Sequence, residues 1–269
     1  MRVPRLSLLA FVAPVVCLAQ LAEPNSMGVA MGHIHLAVQD VEAQRHLWID
    51  VMGGTAISNG SIELIRFPGV FVMLRQATAT GPPAGSVVDH FGFSVKDMPT
   101  FIARCRANHV EPELTANPKQ VYVPGPDGIR VEIIADPALD APVRFNHLHI
   151  YTADIPAVQA WYAKTFGAAS GKRPSVLGPG TIDAADLPGG NISLRREDKP
   201  LAPTKGRSLD HVGFEVKNLE AFTKRLEAQG VKFEAPLRQI ANTRTRVIFF
   251  TDPWGVYIEL TESLAPESK

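Results

Sequence analysis

The stretch DHFGFSVK at residues 89–96 recurs as DHVGFEVK at residues 210–217, with the same residue at six of eight positions. The repeat extends outward. At a shift of 114 residues HIH at 33–35 aligns with HLH at 147–149, and at a shift of 127 residues Glu132 aligns with Glu259. Because the order of matched features is unchanged, the sequence predicts two related halves. They cover residues 28–137 and 142–264, and a short linker around residues 138–142 joins them.

Each half divides again into two modules. A short apolar strand followed by an amphipathic helix begins at Gly32-His33, Asp89-His90, Asn146-His147 and Asp210-His211. In the fourth module Asn218 is a predicted helix N-cap, and strands are predicted over residues 231–234, 246–251 and 256–261. In the first module we expect a helix over residues 41–51 and strands over residues 62–67 and 70–76.

These elements predict an α+β fold of four tandem βαβββ modules. A helix covers one face of each module's sheet and leaves the other bare. We therefore expect pairs of modules to form cup-shaped, curved mixed sheets around a shared cavity.

The composition is that of an ordinary globular protein. Hydrophobic residues make up 45% and charged residues 20% of the 269 residues, and 27 basic residues balance 27 acidic ones. Since the net charge is zero, the overall charge of the chain does not favour binding to nucleic acids or membranes. One of the two cysteines, Cys17, lies in a segment that we expect to be removed, so Cys105 is predicted to be a free thiol.

The first nineteen residues resemble a signal peptide. Arg2 and Arg5 precede the apolar run of residues 6–16, and the segment ends in Cys17-Leu18-Ala19. This pattern predicts cleavage after Ala19 and a periplasmic or secreted protein. A lipid anchor on Cys17 and a buried N-terminal helix are the alternatives.

Metal-ligating residue types recur at matched positions. His33 and His35 are two residues apart on one strand and so share a face, as do His147 and His149. Glu132 and Glu259 lie among apolar strand residues, where a carboxylate needs a partner. Two histidines and one carboxylate form a facial ligand set for a divalent metal. The sequence offers this set twice, as His33, His90, Glu132 and as His147, His211, Glu259.

The chain resembles the vicinal oxygen chelate superfamily, which includes glyoxalase I, fosfomycin-resistance enzymes, methylmalonyl-CoA epimerases and extradiol dioxygenases. The resemblance rests on HLH at 147–149, DHVGF at 210–214 and DPWGVYIEL at 252–260. It implies paired modules that form a cup. It also implies that the metal ligands are the two sets given above.

Two departures from the family pattern bear on the reaction. Glyoxalase I has a second acidic residue where this chain reads Val72-Met73-Leu74 and Ile192-Ser193-Leu194. Extradiol dioxygenases carry a histidine and a tyrosine before the Asp-Pro turn, where the second half has Asn242 and Phe249 and the first has Thr115 and Tyr122. Ring cleavage needs a proton-handling group, and His35 or His149 could substitute.

Together with the signal-peptide pattern, the resemblance implies an exported, metal-dependent lyase or isomerase for a small substrate whose adjacent oxygens chelate the metal. An extradiol Fe(II) dioxygenase and a non-catalytic ligand-binding protein of the bleomycin-resistance kind are the alternatives. His149, His35 and Tyr257 are candidate catalytic residues, and Arg75 and Arg195 are candidate substrate-binding residues. The ligand set accepts Fe(II), Mn(II), Zn(II), Ni(II) or Co(II). A monomer is expected to be self-sufficient, and a homodimer is the other possibility.

Overall fold

A computed structural model describes residues 21–266, so the predicted signal peptide at residues 1–19 lies outside the described residues. Within them the chain forms four βαβββ modules. Module 1 contains β1 (Val29–Val38), α1 (Val41–Arg45), β2 (Thr55–Asn59), β3 (Ile62–Phe67) and β4 (Val70–Gln76). Module 2 contains β5 (Val88–Val95), α2 (Met98–Ala107), β6 (Glu113–Leu114), β7 (Gln120–Pro124) and β8 (Arg130–Ala135).

The second half repeats this order. Module 3 contains β9 (Val143–Thr152), α3 (Ile155–Phe166), β10 (Ala169–Pro174), β11 (Thr181–Asp186) and β12 (Asn191–Arg196). Module 4 contains β13 (Leu209–Val216), α4 (Leu219–Ala228), β14 (Arg238–Gln239), β15 (Arg246–Thr251) and β16 (Tyr257–Glu262). The predicted α+β architecture of four βαβββ modules is therefore confirmed.

The first strand of each module leads directly into its helix because a capping side chain ends the strand. Asp40, Asp97, Asp154 and Asn218 each accept a hydrogen bond from the backbone N–H three residues further on. In module 1 the helix continues beyond α1 as a π-helical turn, His46–Val51. Together they span the helix predicted over residues 41–51.

The strands form two eight-stranded mixed sheets, and each sheet combines one module from either half. The first has the order β14-β15-β16-β13-β1-β4-β3-β2, and the second has the order β10-β11-β12-β9-β5-β8-β7-β6. Module 1 therefore pairs with module 4 through β1 and β13, and module 2 with module 3 through β5 and β9. The two halves of the sequence repeat are interleaved in space.

One apolar core joins the two sheets. Trp48, which follows α1, stacks on Phe91 of β5 with the ring centroids 5.7 Å apart. Phe166 of α3 packs against Phe214 of β13 at 4.8 Å. Because these helices follow a strand of one sheet and contact a strand of the other, they fix the sheets against each other. Cys105 of α2 is a buried free thiol, and no helix within residues 21–266 is long and apolar enough to cross a membrane.

Candidate metal centres

Four side chains converge on the concave face of the first sheet. We call His33, His35, His211 and Glu259 centre 1. The Nε2 atoms of His33 and His211 lie 2.8 and 2.9 Å from Glu259 Oε2. His35 Nδ1 lies 3.0 Å from His211 Nε2. Three of the four residues are buried and His35 is partly buried.

The second sheet carries an equivalent cluster. We call His90, Glu132, His147 and His149 centre 2, and all four residues are buried. The Nε2 atoms of His90 and His147 each lie 3.1 Å from Glu132 Oε2. His149 Nε2 lies 3.6 Å from the same oxygen. In each centre, one ligand atom from each residue lies within 4.8 Å of all the others.

This geometry corrects the grouping of ligands predicted from the sequence, which was His33 with His90 and Glu132, and His147 with His211 and Glu259. The predicted sets assumed that modules of the same half share a cup. Because β1 instead pairs with β13, His33 meets His211 and Glu259, and because β9 pairs with β5, His147 meets His90 and Glu132. The two opening-strand histidines are exchanged relative to the prediction.

A glycine on the neighbouring strand makes room for an imidazole in each centre. Gly213 of β13 pairs with His33 of β1, and Gly92 of β5 pairs with His147 of β9. A Cβ atom at Gly92 would lie 2.5 Å from His147 Cε1, and a Cβ at Gly213 would lie closer still to the His33 ring. The glycine in each DHxGF stretch is thus required by the close approach of a histidine ligand.

Neighbouring side chains determine which ring nitrogen faces the centre. Asp210 Oδ1 accepts the Nδ1–H of His211 at 2.7 Å, and Asp89 Oδ1 accepts that of His90 at 2.9 Å. Asn146 Oδ1 lies 2.7 Å from His147 Nδ1 and accepts a hydrogen bond from its N–H in the same way. With the proton on Nδ1, Nε2 is the ring nitrogen that faces the glutamate, where it can share a proton with the carboxylate or bind a cation. Carboxylate–histidine pairs of this kind orient metal ligands.

The charge states follow from burial and from these contacts. Burial opposes ionisation of Glu259, but His33 and His211 outweigh it and hold the pKa of its carboxyl well below the usual range. Burial lowers the pKa of His33. For His211 burial also acts to lower the pKa, but hydrogen bonds to Asp210 and Glu259 prevail and raise it. Glu132 of centre 2 is likewise ionised, with its pKa well below normal.

The residues of both centres fit a divalent cation. Each centre directs imidazole Nε2 atoms and an ionised carboxylate at one point, in surroundings almost free of solvent. At these distances the electron pairs on nitrogen and oxygen repel each other unless a proton or a cation lies between them. Nitrogen and carboxylate donors in this number are those that first-row divalent metals prefer.

The other sequence-predicted residues occupy different positions around the centres. His35 and His149 lie inside the clusters as fourth candidate ligands. Tyr257 is 5.6 Å from the His211 ring, and its hydroxyl donates to Glu234 Oε2 at 3.0 Å. Arg75 lies 3.7 Å from Asp210. Arg195 lines the same cavity as Glu132, His147 and His149.

Sequence reasoning missed Gln120, whose Nε2 donates to Glu132 Oε1 of centre 2 at 2.6 Å. The orienting roles of Asp89 and Asp210 were also missed, although their recurrence before His90 and His211 was a usable signal. Gln120 carries no such signal, because its strand is recognisable as a neighbour of the centre only in three dimensions. Arg173 of β10 lines the cavity beside His147 and His149.

Comparisons with known proteins agree with this fold. Residues 144–260 match the family model of the Glyoxalase/Bleomycin resistance protein/Dioxygenase superfamily. This match agrees with the resemblance to vicinal oxygen chelate proteins. No curated protein sequence matches the chain.

Solved structures share the architecture across both halves. Glyoxalase I from Zea mays has a TM-score of 0.67 at 16% identity, over 87% of this chain and 92% of its own. A candidate dioxygenase from Bacillus subtilis has a TM-score of 0.62 at 14% identity, over 92% of this chain and 87% of its own. These similarities confirm the cup-shaped fold. They do not identify the reaction, which depends on the residues of the site.

Proposed function

We propose that this protein is a metal-dependent enzyme that acts on a small substrate with adjacent oxygen atoms, most simply as a glyoxalase-like lyase or isomerase. One observation carries the proposal: in both centres histidine Nε2 atoms surround a single buried carboxylate oxygen, at 2.8–2.9 Å in centre 1. A divalent cation held there would polarise the substrate's oxygens and stabilise negative charge that develops on them.

The chain's own residues would supply binding and proton handling. His33, His211 and Glu259 would hold the cation in centre 1, and His90, His147 and Glu132 in centre 2. His149 Nδ1 is buried and has no hydrogen-bond partner among the described residues. It is therefore the proposed site of proton exchange with the substrate in centre 2, and His35 takes the equivalent position in centre 1.

Ring cleavage by an Fe(II) dioxygenase is the second candidate, and it is favoured by one feature of centre 2. The rings of Tyr122 and His149 lie 5.9 and 4.5 Å from the His90 ring. A hydroxyl and an imidazole beside the ligands are the proton-handling groups that such chemistry needs. In centre 1 the position facing the glutamate is occupied by Phe249, which has no proton to exchange.

Metal analysis tests the proposal. We expect the purified protein, after incubation with Fe(II), Mn(II) or Zn(II) and desalting, to hold about two equivalents of metal. His211→Ala is expected to lose the share of centre 1 and His90→Ala that of centre 2. Absence of bound metal from the folded wild-type chain would contradict an enzyme of this class and favour a metal-free binding protein.

The metal that supports activity separates the two reactions. Consumption of oxygen with a catechol by the Fe(II)-loaded protein, absent from the Zn(II)-loaded protein, would establish ring cleavage. Turnover without oxygen uptake of a dicarbonyl-derived or hydroxy-carbonyl substrate would establish the lyase or isomerase. Because both candidates use the same ligands, metal content alone does not choose between them.

We further propose that the protein is exported and active as a single chain. The signal-peptide pattern of residues 1–19 supports export, and the pairing of modules within one chain completes both cups without a second copy. N-terminal sequencing of the protein recovered from a bacterial periplasm should begin at Gln20. Light scattering of the eluted protein should give the mass of one chain, and the mass of a dimer would contradict this part of the proposal.

A further inference from the structure

Arginine side chains distinguish centre 2 from centre 1. A cavity of about 40 Å³ is lined by Glu132, His147 and His149 together with Arg173 and Arg195. Leu177 and Ile182 are among its apolar lining residues. The cavity therefore joins three candidate metal ligands, two guanidinium groups and an apolar wall.

Arg173 is held in place beside the ligands. Its Nη2 donates to Ser193 Oγ at 2.7 Å, and its Nη1 lies 3.5 Å from Asp186 Oδ1. Ser193 of β12 is the register partner of His149 on β9, so the two side chains share a face of the sheet. The guanidinium thus lies next to the face that carries the ligands, and Asp186 balances its charge.

Arg195 lies two residues beyond Ser193 on the same strand, and hence on the same face. Within residues 21–266 it has neither a hydrogen bond nor an ion pair. Among these residues no acidic side chain contacts its guanidinium, and the Glu132 carboxylate that also lines the cavity lies among the histidines of centre 2. A cation in centre 2 would add further positive charge to that wall.

In centre 1 the residues that align with these two arginines already contact other protein groups. At the shift of 114 residues Asn59 stands for Arg173, and its Nδ2 donates to Thr245 Oγ1 and to the carbonyl oxygens of Ser263 and Leu264. At the shift of 120 residues Arg75 stands for Arg195, and it lies 3.7 Å from Asp210. The excess of positive charge is thus a property of centre 2.

We propose that centre 2 binds a small organic carboxylate, whose carboxylate group contacts Arg195 and Arg173 while its adjacent oxygen atoms face His90, His147 and Glu132. This inference rests on the proposed function. Arginine suits the task because its planar fork matches two carboxylate oxygens. The guanidinium of Arg195, unpaired within the described residues, favours a negative ligand, and the candidate metal ligands favour one that carries neighbouring oxygens.

The size of the cavity restricts the ligand. At about 40 Å³ the cavity is small. The segment between β10 and β11 covers it, and Asn117 Nδ2 of module 2 holds that segment by donating to Leu177 O at 2.6 Å. A ligand of a few non-hydrogen atoms is the size that this arrangement accommodates.

The test compares lactate with lactamide on the full chain loaded with Mn(II). Both probes carry neighbouring oxygens, but only lactate is charged. Binding is read from the paramagnetic relaxation of the probes' methyl protons, independently of activity. We expect lactate to bind at least about tenfold more tightly than lactamide, as a charge-assisted contact implies. Arg195→Gln should abolish this preference, and the matched Arg75→Gln should retain it.

The outcomes separate the inference from the proposed function. Equal binding of lactate and lactamide, or an unchanged preference in Arg195→Gln, would overturn the inference while bound Mn(II) leaves the metal centres established. If Arg75→Gln rather than Arg195→Gln loses the preference for lactate, the carboxylate binds at centre 1, and this result would also overturn the inference. A protein that binds no Mn(II) contradicts the proposed function, and with it this inference. Because Arg195 is exposed, its replacement is not expected to affect folding.

Discussion

At the scale of single residues, the aspartates beside the ligands determine how the centres work. Asp210 accepts hydrogen bonds from His211 Nδ1 at 2.7 Å and from the Gly206 N–H at 2.8 Å. The backbone contact fixes the carboxylate, and the carboxylate fixes the tautomer of the histidine. Asp210 would therefore act on a bound cation through His211, as a positioning residue.

Replacing this aspartate should weaken metal binding without removing a ligand. We expect Asp210→Asn to bind metal in centre 1 about 10–100-fold less tightly, because the amide can turn its N–H₂ toward Nδ1 and favour the wrong tautomer. Competition with a chromogenic chelator measures this change. Asp89→Asn is the matched variant for centre 2, and unaltered affinity in both would contradict the orienting role.

His149 makes the stability of the metal-free protein depend on pH. Burial lowers its pKa from 6.5 to about 3. The folded state therefore keeps this histidine neutral while the unfolded chain gains a proton below pH 6.5. Its contribution to stability is present above pH 6.5 and is lost progressively as the pH falls toward 3. Between pH 7 and pH 5 the loss is about 2 kcal/mol.

The neutral substitution His149→Gln should remove this dependence. Urea unfolding of the metal-free wild type and variant at pH 7 and pH 5 measures it. From pH 7 to pH 5 we expect the free energy of unfolding of the variant to fall by about 2 kcal/mol less than that of the wild type. Equal losses in the two proteins would show that His149 is protonated in the folded state.

At the level of elements, the pairing of β1 with β13 leaves space for the imidazole of a candidate metal ligand between the two strands. Gly213 of β13 faces His33 of β1 across the junction of modules 1 and 4. We expect Gly213→Ala to displace the His33 ring, to cost about 1–3 kcal/mol of stability, and to release metal from centre 1. Thermal unfolding and metal analysis measure both effects.

Gly178 provides the control for this substitution. It also lies in the part of the chain that the structure describes, and a Cβ atom there would meet nothing within 4 Å. Gly178→Ala should therefore leave stability and metal content unchanged. A Gly213→Ala protein with full metal content would contradict the close approach of His33.

The sequence predicted most elements because hydrophobic periodicity and the residues that form turns and helix caps are local features. Strands at residues 62–67, 70–76 and 246–251 coincide with β3, β4 and β15. The strand predicted at residues 231–234 is wrong, and the short β14 at Arg238–Gln239 takes its place. Glu234 donates one backbone hydrogen bond to Phe249 O, but Pro236 follows too closely for a continuous ladder.

At the scale of the whole molecule, the order of modules decides which residues meet. Residue types and spacing identified the ligands, since repetition marks them in both halves. They could not identify the partners, because four similar modules are compatible with more than one pairing. The pairing depends on the short linker after β8, which returns β9 antiparallel to β5 and leaves module 1 to pair with module 4.

The two cups differ in the residues of their walls, although both contain three histidines and one glutamate as candidate metal ligands. Phe71 and Met73 are the register partners of His33 and His35, whereas Asn191 and Ser193 are those of His147 and His149. Paired residues of parallel strands share a face. The wall of centre 1 is therefore more apolar, and that of centre 2 is more polar and carries Arg173 and Arg195.

The metal content of two double variants shows whether each of the two metal centres combines residues from both halves of the chain. His33→Ala with His211→Ala removes two ligands from centre 1 only, so it should retain about one of two equivalents of metal. His33→Ala with His90→Ala removes one ligand from each centre, so it should retain almost none. The reverse result, with the folded state of both variants verified by circular dichroism, would contradict the account and restore ligand sets confined to single halves.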